Sequence, residues 1–216
     1  MVRIWRTFLI GLGLTLGLAL GAREAAAHPH VWIDLRTNVV MDDQGRVSAI
    51  AQEWLFDPIY SAYVLGGMDP QSDKARKALD DLLAESMANL REYDYFMRVR
   101  ADGERLSLDD ARDASAEMRG DRMLYRFTVP VADPKDPRGH DLDVAVFDPT
   151  YYIEMLHLEG DVIAFQGGKT AGCGARIIEP APDMDAIALA QSLDRDAAAD
   201  DTLGAQFAET VIITCQ

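Results

Sequence analysis

Residues 28–41 read His-Pro-His-Val-Trp-Ile-Asp-Leu-Arg-Thr-Asn-Val-Val-Met, β-branched and aromatic enough to predict a strand. Successive strand side chains point to opposite faces. Pro29, Val31, Ile33 and Leu35 therefore form the core face, and His28, His30, Trp32 and Asp34 share the other. Asp42-Asp43-Gln44-Gly45 is a turn, and a second strand over 46–56 completes a hairpin.

The period changes at Asp57-Pro58, an N-cap followed by a first-turn proline, which opens a short helix to about Leu65. Gly66-Gly67 stops it. Ser72 caps the longest predicted helix, over 72–93, with Ala75, Leu79, Leu82, Leu83, Ser86, Leu90 and Tyr93 on one stripe. Strand-like patterning returns over 95–131, punctuated by Asp102-Gly103 and Gly120-Asp121. Strands over 141–147, 151–155 and 162–166 follow, then a helix over 183–193 and a last strand over 211–214. No repeat or internal boundary breaks this series. The expected class is α+β: one domain over 28–216, a mainly antiparallel sheet packed against one long helix.

The segment before it reads differently. Arg3 and Arg6 precede an apolar, Gly-rich run over 8–22, which is short of the ~20 residues that a membrane helix needs. Ala25 and Ala27 supply the small-x-small pattern of a signal-peptidase site. Residues 1–27 are therefore expected to be a leader cleaved after Ala27, and the protein to be periplasmic. No cysteine adjoins the cut, which removes a lipoprotein anchor, and no later segment is apolar enough to span a membrane.

Composition narrows the function. Lys and Arg total 21 against 36 Asp and Glu, a formal net charge of -15, which argues against nucleic-acid binding. Two cysteines exclude a disulfide-dense scaffold and an all-cysteine zinc module. In an exported chain the default for Cys173 and Cys215 is a disulfide worth roughly 4 kcal/mol in the chain-entropy picture. Sulfur ligation of a soft metal is the minority alternative. Neither Gly-x-Ser-x-Gly, His-Glu-x-x-His nor a phosphate loop occurs, so nothing in the sequence supports an enzyme.

The chemistry with the most weight is at the new N-terminus. Cleavage after Ala27 would place an α-amine and the imidazoles of His28 and His30 within three residues, and side chains two apart on a strand can grip one ion. Pro29 has no backbone N–H, which blocks the square-planar wrap that an N-terminal site with a third-position histidine gives Cu(II). A brace from the His28 amine and imidazole with a second histidine remains open, as does a tetrahedral site recruiting side chains from elsewhere. His140 and His157 are the other imidazoles, and Asp34, Asp57 and Asp148 are candidate oxygen ligands.

The start Ala-His-Pro-His-Val-Trp-Ile-Asp, the block Trp54-Leu-Phe-Asp-Pro-Ile-Tyr60-Ser61, the segment Asn89-Leu90-x-x-Tyr93-x-Tyr95-Phe96 and Asp148-Pro-x-Tyr-Tyr152 together resemble a family of periplasmic proteins of unknown function. That family is catalogued as the periplasmic component of an uncharacterised ABC-type transport system. Its members are associated with nickel/cobalt-type inner-membrane permeases, and some with zinc uptake. The resemblance implies metal handling without naming the metal. Taken with export, the N-terminal histidines and the acidic surface, it gives the expected function: a non-enzymatic protein that captures a divalent transition metal, Zn2+ first and Ni2+, Co2+ or Cu2+ as alternatives, and supports its transport by a permease. It puts His28, His30, Asp57 and Asp148 at motif positions. Two other readings carry different expectations: an interaction subunit of a transporter that binds no metal, and a copper protein or enzyme using the N-terminal histidine.

Overall fold

The computed structural model describes residues 29–160, 162–193 and 202–216. The leader 1–27 and His28 lie outside the described residues. The predicted hairpin is present as β1 (Val31–Met41) and β2 (Val47–Phe56). Asp42 builds its turn, its carboxylate accepting from the backbone N–H groups of Gln44 and Arg46, with Gly45 at a positive φ of 82°. Helix α1 (Pro58–Leu65) follows at once, and α2 (Asp73–Leu90) begins at Ser72, whose hydroxyl accepts from Ala75 N–H.

A 3-10 turn (Arg91–Phe96) leads from α2 into β3 (Met97–Ala101) and the short β4 (Glu104–Arg105). Two long strands, β5 (Arg112–Arg119) and β6 (Arg122–Lys135), form the next hairpin. Then come β7 (Leu142–Val146), β8 (Ile153–His157), β9 (Ile163–Gly167) and β10 (Cys173–Ile178). Helices α3 (Met184–Ser192) and α4 (Leu203–Gln206) precede the last strand, β11 (Thr210–Cys215).

The strands make two sheets, where the sequence suggested one sheet on one long helix. The first has the order β5-β6-β2-β1-β8, with β9 also on β1; the second runs β10-β11-β7-β3-β4. Pairing is antiparallel except along one edge of β1, which runs parallel to β8 and then to β9 while its other edge pairs antiparallel with β2. The correction has a simple cause. Helix α2 buries only Ala75, Leu79 and Leu83, too narrow a stripe to organise a core. Apolar side chains from both sheets, among them Ile33, Leu35, Trp54 and Phe127 from the first and Val99, Val144 and Ile213 from the second, form one buried cluster instead.

Cys173 and Cys215 face each other across β10 and β11 and form a disulfide between residues 42 apart in sequence. Among the described residues no helix is long and apolar enough to cross a membrane.

Candidate functional site

The start of β1 is tied down on both sides by the two Asp-Pro motifs. Asp57 caps α1, its Oδ1 accepting from Ile59 and Tyr60 N–H at 2.8 and 2.9 Å, while Oδ2 accepts from Trp32 N–H at 3.1 Å. Asp57 N–H in turn donates to Trp32 O, so the carboxylate locks the strand entry onto the helix. Asp148 does the equivalent job on β8. Its Oδ1 accepts from the amide and hydroxyl of Thr150, and its Oδ2 accepts from Ile153 N–H at 3.0 Å. A glycine keeps this turn in place, since a Cβ on Gly204 would run into the Asp148 carbonyl oxygen. Both carboxylates are buried and spent on backbone donors, which suits them to positioning more than to holding an ion.

Between these anchors lies His30. Its backbone N–H donates to Tyr152 O at 2.9 Å, and its half-buried ring sits 5.0 Å from the Tyr152 ring. Trp32, Ile59, Tyr63 and Tyr152 are exposed at the same end. Tyr60 lies among them, its phenol pushed above the usual range by burial and then by Tyr63, Tyr152 and Asp57. Asp34, on the outer face of β1, is taken by Arg122 at 2.6 Å.

The other two histidines are elsewhere. His140 precedes β7 and Asp148 follows it, so the strand separates them. His140 Nδ1 lies 2.7 Å from an Asp102 oxygen, and that contact, with the Asp141 amide, holds the exposed Asp102 carboxyl below its ordinary range. His157 ends β8, five residues of strand from the Asp148 turn, at the point where β1 exchanges β8 for β9. Its side chain is 2% exposed and points between the sheets.

There it joins a buried polar chain that the sequence reading missed. Glu209, just before β11, accepts at one oxygen from both His157 N–H and His157 Nδ1, each at 2.7 Å. His157 Nε2 lies 2.9 Å from the Thr37 hydroxyl, which accepts from the Gln52 amide at 3.0 Å. From Glu209 to Thr37 donors match acceptors if Nδ1 carries the proton and Thr37 donates to Nε2, while Gln52 Oε1 has no hydrogen-bond partner among the described residues. Hydroxyl, imidazole and carboxylate thus stand in the order of a hydrolytic triad, but Thr37 is 0% exposed on the core face of β1 and no substrate reaches it. The chain is a polar rivet between sheets. One sign of it was visible: Thr37 falls in phase with Ile33, Leu35 and Val39, a hydroxyl where the pattern calls for an apolar residue. Nothing local marked Glu209.

Among the described residues no three His, Cys, Asp or Glu side chains group closely enough to hold a metal ion. His30, Asp57 and Asp148 share one end of the fold; His140 and His157 do not join them.

An α/β domain of two sheets around one core, its strand entry pinned by paired Asp-Pro caps, is the class that fold and site define. The chain belongs to the family described as "Protein of unknown function (DUF1007)", whose model matches residues 13–215. It is also 28% identical over 213 residues to an uncharacterized protein of Haemophilus influenzae, covering 97% of this chain and 98% of that one. Neither description names an activity or a partner.

Proposed function

We propose that the protein is an exported accessory protein that captures a divalent transition metal, Zn2+ or else Ni2+ or Co2+, at its N-terminal histidines and supports its transport by an inner-membrane permease of the nickel/cobalt type. The observation that carries the reading is the placement of His30. It stands at the strand entry, held through its backbone and ring against Tyr152, two residues after His28. Asp57 and Asp148 act as supports that fix this entry, in the way outer-shell groups orient a ligand. The first shell then reduces to His28 and His30, with the α-amine exposed by cleavage or a donor from the permease completing it. So open a site suits transfer better than storage, because an ion with few protein ligands leaves readily.

Titration calorimetry of the protein processed to His28 tests this. Zn2+ or Ni2+ should bind with sub-micromolar affinity, and the double variant His28→Ala, His30→Ala should lose that binding, while His140→Ala keeps it. No uptake by the processed protein sinks the reading.

The exposed Trp32, Ile59, Tyr63 and Tyr152 favour a second reading, an interaction subunit whose aromatic end docks on the transporter without metal. Transport that survives loss of both histidines but fails in Tyr63→Asp would select it.

A further inference from the structure

Two segments singled out in the sequence, Tyr93-x-Tyr95-Phe96 and Asp148-Pro149, have no direct part in the N-terminal site through their outer residues. They meet at a different place. The 3-10 turn, the start of β3 and the chain leaving β7 enclose an open-sided cleft of about 250 Å³, lined by Tyr93, Phe96, Phe147 and Pro149 with Arg98 and Arg105. That is at the small end of ligand pockets.

Three observations at this cleft point to a ligand. The first is Arg98. Its guanidinium lies 4.6 Å from the centre of the Phe147 ring, half-buried, on the outer face of β3. Its neighbours each have a carboxylate, Arg100 on Asp143 at 2.8 Å and Arg105 on Asp94 at 2.6 Å. Among the described residues Arg98 has none, in a chain with 36 acidic side chains to 21 basic ones. Burial, then the charges of Arg105 and Arg100, weigh against its proton, and the more distant Asp143 carboxylate partly offsets them. A half-buried guanidinium that makes no ion pair keeps N–H donors for an anion, which would form charge-assisted hydrogen bonds with it.

The second is backbone strain. Asp94, Tyr95 and Phe96 have φ of 50°, 56° and 56°, three successive non-glycine residues in the left-handed region. Such residues persist where the surroundings over-determine them, and they gather at binding sites. Here Tyr95 anchors the turn inward, its phenol oxygen accepting from Ala111 N–H at 2.9 Å, and the turn holds Tyr93 and Phe96 at the cleft wall. The third is the charge balance. Glu92 and Asp94 also line the cleft, so a dianion meets repulsion while a monoanion matches Arg98.

We infer that this cleft binds a monocarboxylate carried on a flat apolar body, with Arg98, stacked on Phe147, gripping the carboxylate and Tyr93 and Phe96 flanking the body. A planar guanidinium fits a carboxylate through two parallel hydrogen bonds, and a ring is what aromatic walls accommodate. The source is either a free aromatic acid or the terminal carboxylate of a peptide. His30 is not among the residues that line the cleft, and this inference does not rest on the metal-binding reading.

Amide chemical shifts of the purified protein, followed while benzoate, N-acetyl-phenylalanine, benzyl alcohol or inorganic phosphate is added, provide the test. Benzoate or N-acetyl-phenylalanine should produce saturable shifts at Arg98 and Phe147. Benzoate alone identifies a free acid, N-acetyl-phenylalanine alone a chain end, and both together the shared chemistry. Benzyl alcohol should bind about tenfold more weakly or worse, the least that loss of a charge-assisted pair implies. Arg98→Gln should lose benzoate by a similar factor, Arg98→Lys should fall between, and Arg100→Gln should match the wild type. The wild-type comparison of benzoate with benzyl alcohol needs no variant and stands even if Arg98→Gln fails to fold. No saturable shift with either acid, equal binding of the alcohol, or tighter binding of phosphate would each overturn the inference.

Discussion

His157 and His30 sit on the same face-alternating framework, at opposite ends of the β1–β8 pair, and their surroundings give them opposite roles. His157 is enclosed between the sheets with both ring nitrogens engaged, one on Glu209 and the other on Thr37. His30 is half-buried at the rim, where the chain enters the fold. An imidazole is a ligand, a proton carrier or a structural bolt according to what holds its nitrogens and whether solvent reaches them. The rivet region should therefore answer to substitution through stability, and the entry region through binding.

The sharpest way to break that contrast is Glu209→Leu, which strands a buried imidazole and a buried amide. Two buried N–H donors left unpaired cost about 1–3 kcal/mol each, and urea unfolding should show a loss on the order of 4 kcal/mol. Replacing His157 by Leu as well should recover part of it, because the imidazole is no longer orphaned and only the backbone N–H of residue 157 and the Thr37 hydroxyl are left short of a partner. A loss below about 1 kcal/mol in the single variant would mean that the rivet does not hold the sheets.

Alkaline pH probes the same interior by another route. Burial pushes the Tyr125 phenol up to about 12, from an ordinary value near 10. The unfolded chain gives up that proton first, so stability is level below about pH 10 and falls between about pH 10 and pH 12, by about 3 kcal/mol in all. Unfolding followed across that range should show the fall, and Tyr125→Phe should remove about that much of it, leaving the part that comes from other raised phenols, Tyr60 among them.

Smaller effects belong to the entry. Asp57→Ala removes a helix cap and the bond to Trp32, a loss of about 1–2 kcal/mol by thermal unfolding. His30→Ala should cost about 0.5 kcal/mol or less, while metal uptake falls. Should His30→Ala prove as damaging to stability as Glu209→Leu, the distinction between the two histidines disappears.

Much of the local structure was legible along the chain. Alternation marked β1 and its inward face, Asp42 to Gly45 marked the hairpin, and Asp57-Pro58 and Ser72 marked two helix starts, because each depends on residues a few positions apart. The cysteine pairing was legible from the number of cysteines and the expectation of export. What could not be read was which strands join which sheet. The parallel run of β1 with β8 and β9 links residues more than 110 positions apart, as in Val31 with Ile153, and no local pattern encodes such a choice. The helix over 72–93 was foreseen as the organiser, yet its buried stripe is thin and the sheets enclose the core without it.

The candidate residues divide along the same line. Residue type and order determined by themselves that His28 and His30 stand together near a cleavage pattern, that Pro29 forbids one copper geometry, and that the chain carries a large negative charge. The folded chain alone decided that Asp57 and Asp148 spend their oxygens mainly on backbone donors, that His140 and His157 lie apart from the entry, and that Arg98 lines a cleft without an ion-pair partner among the described residues. The physical reason is range: alternation, caps and turns act over a few residues, whereas burial and partner choice depend on groups brought together from across the sequence.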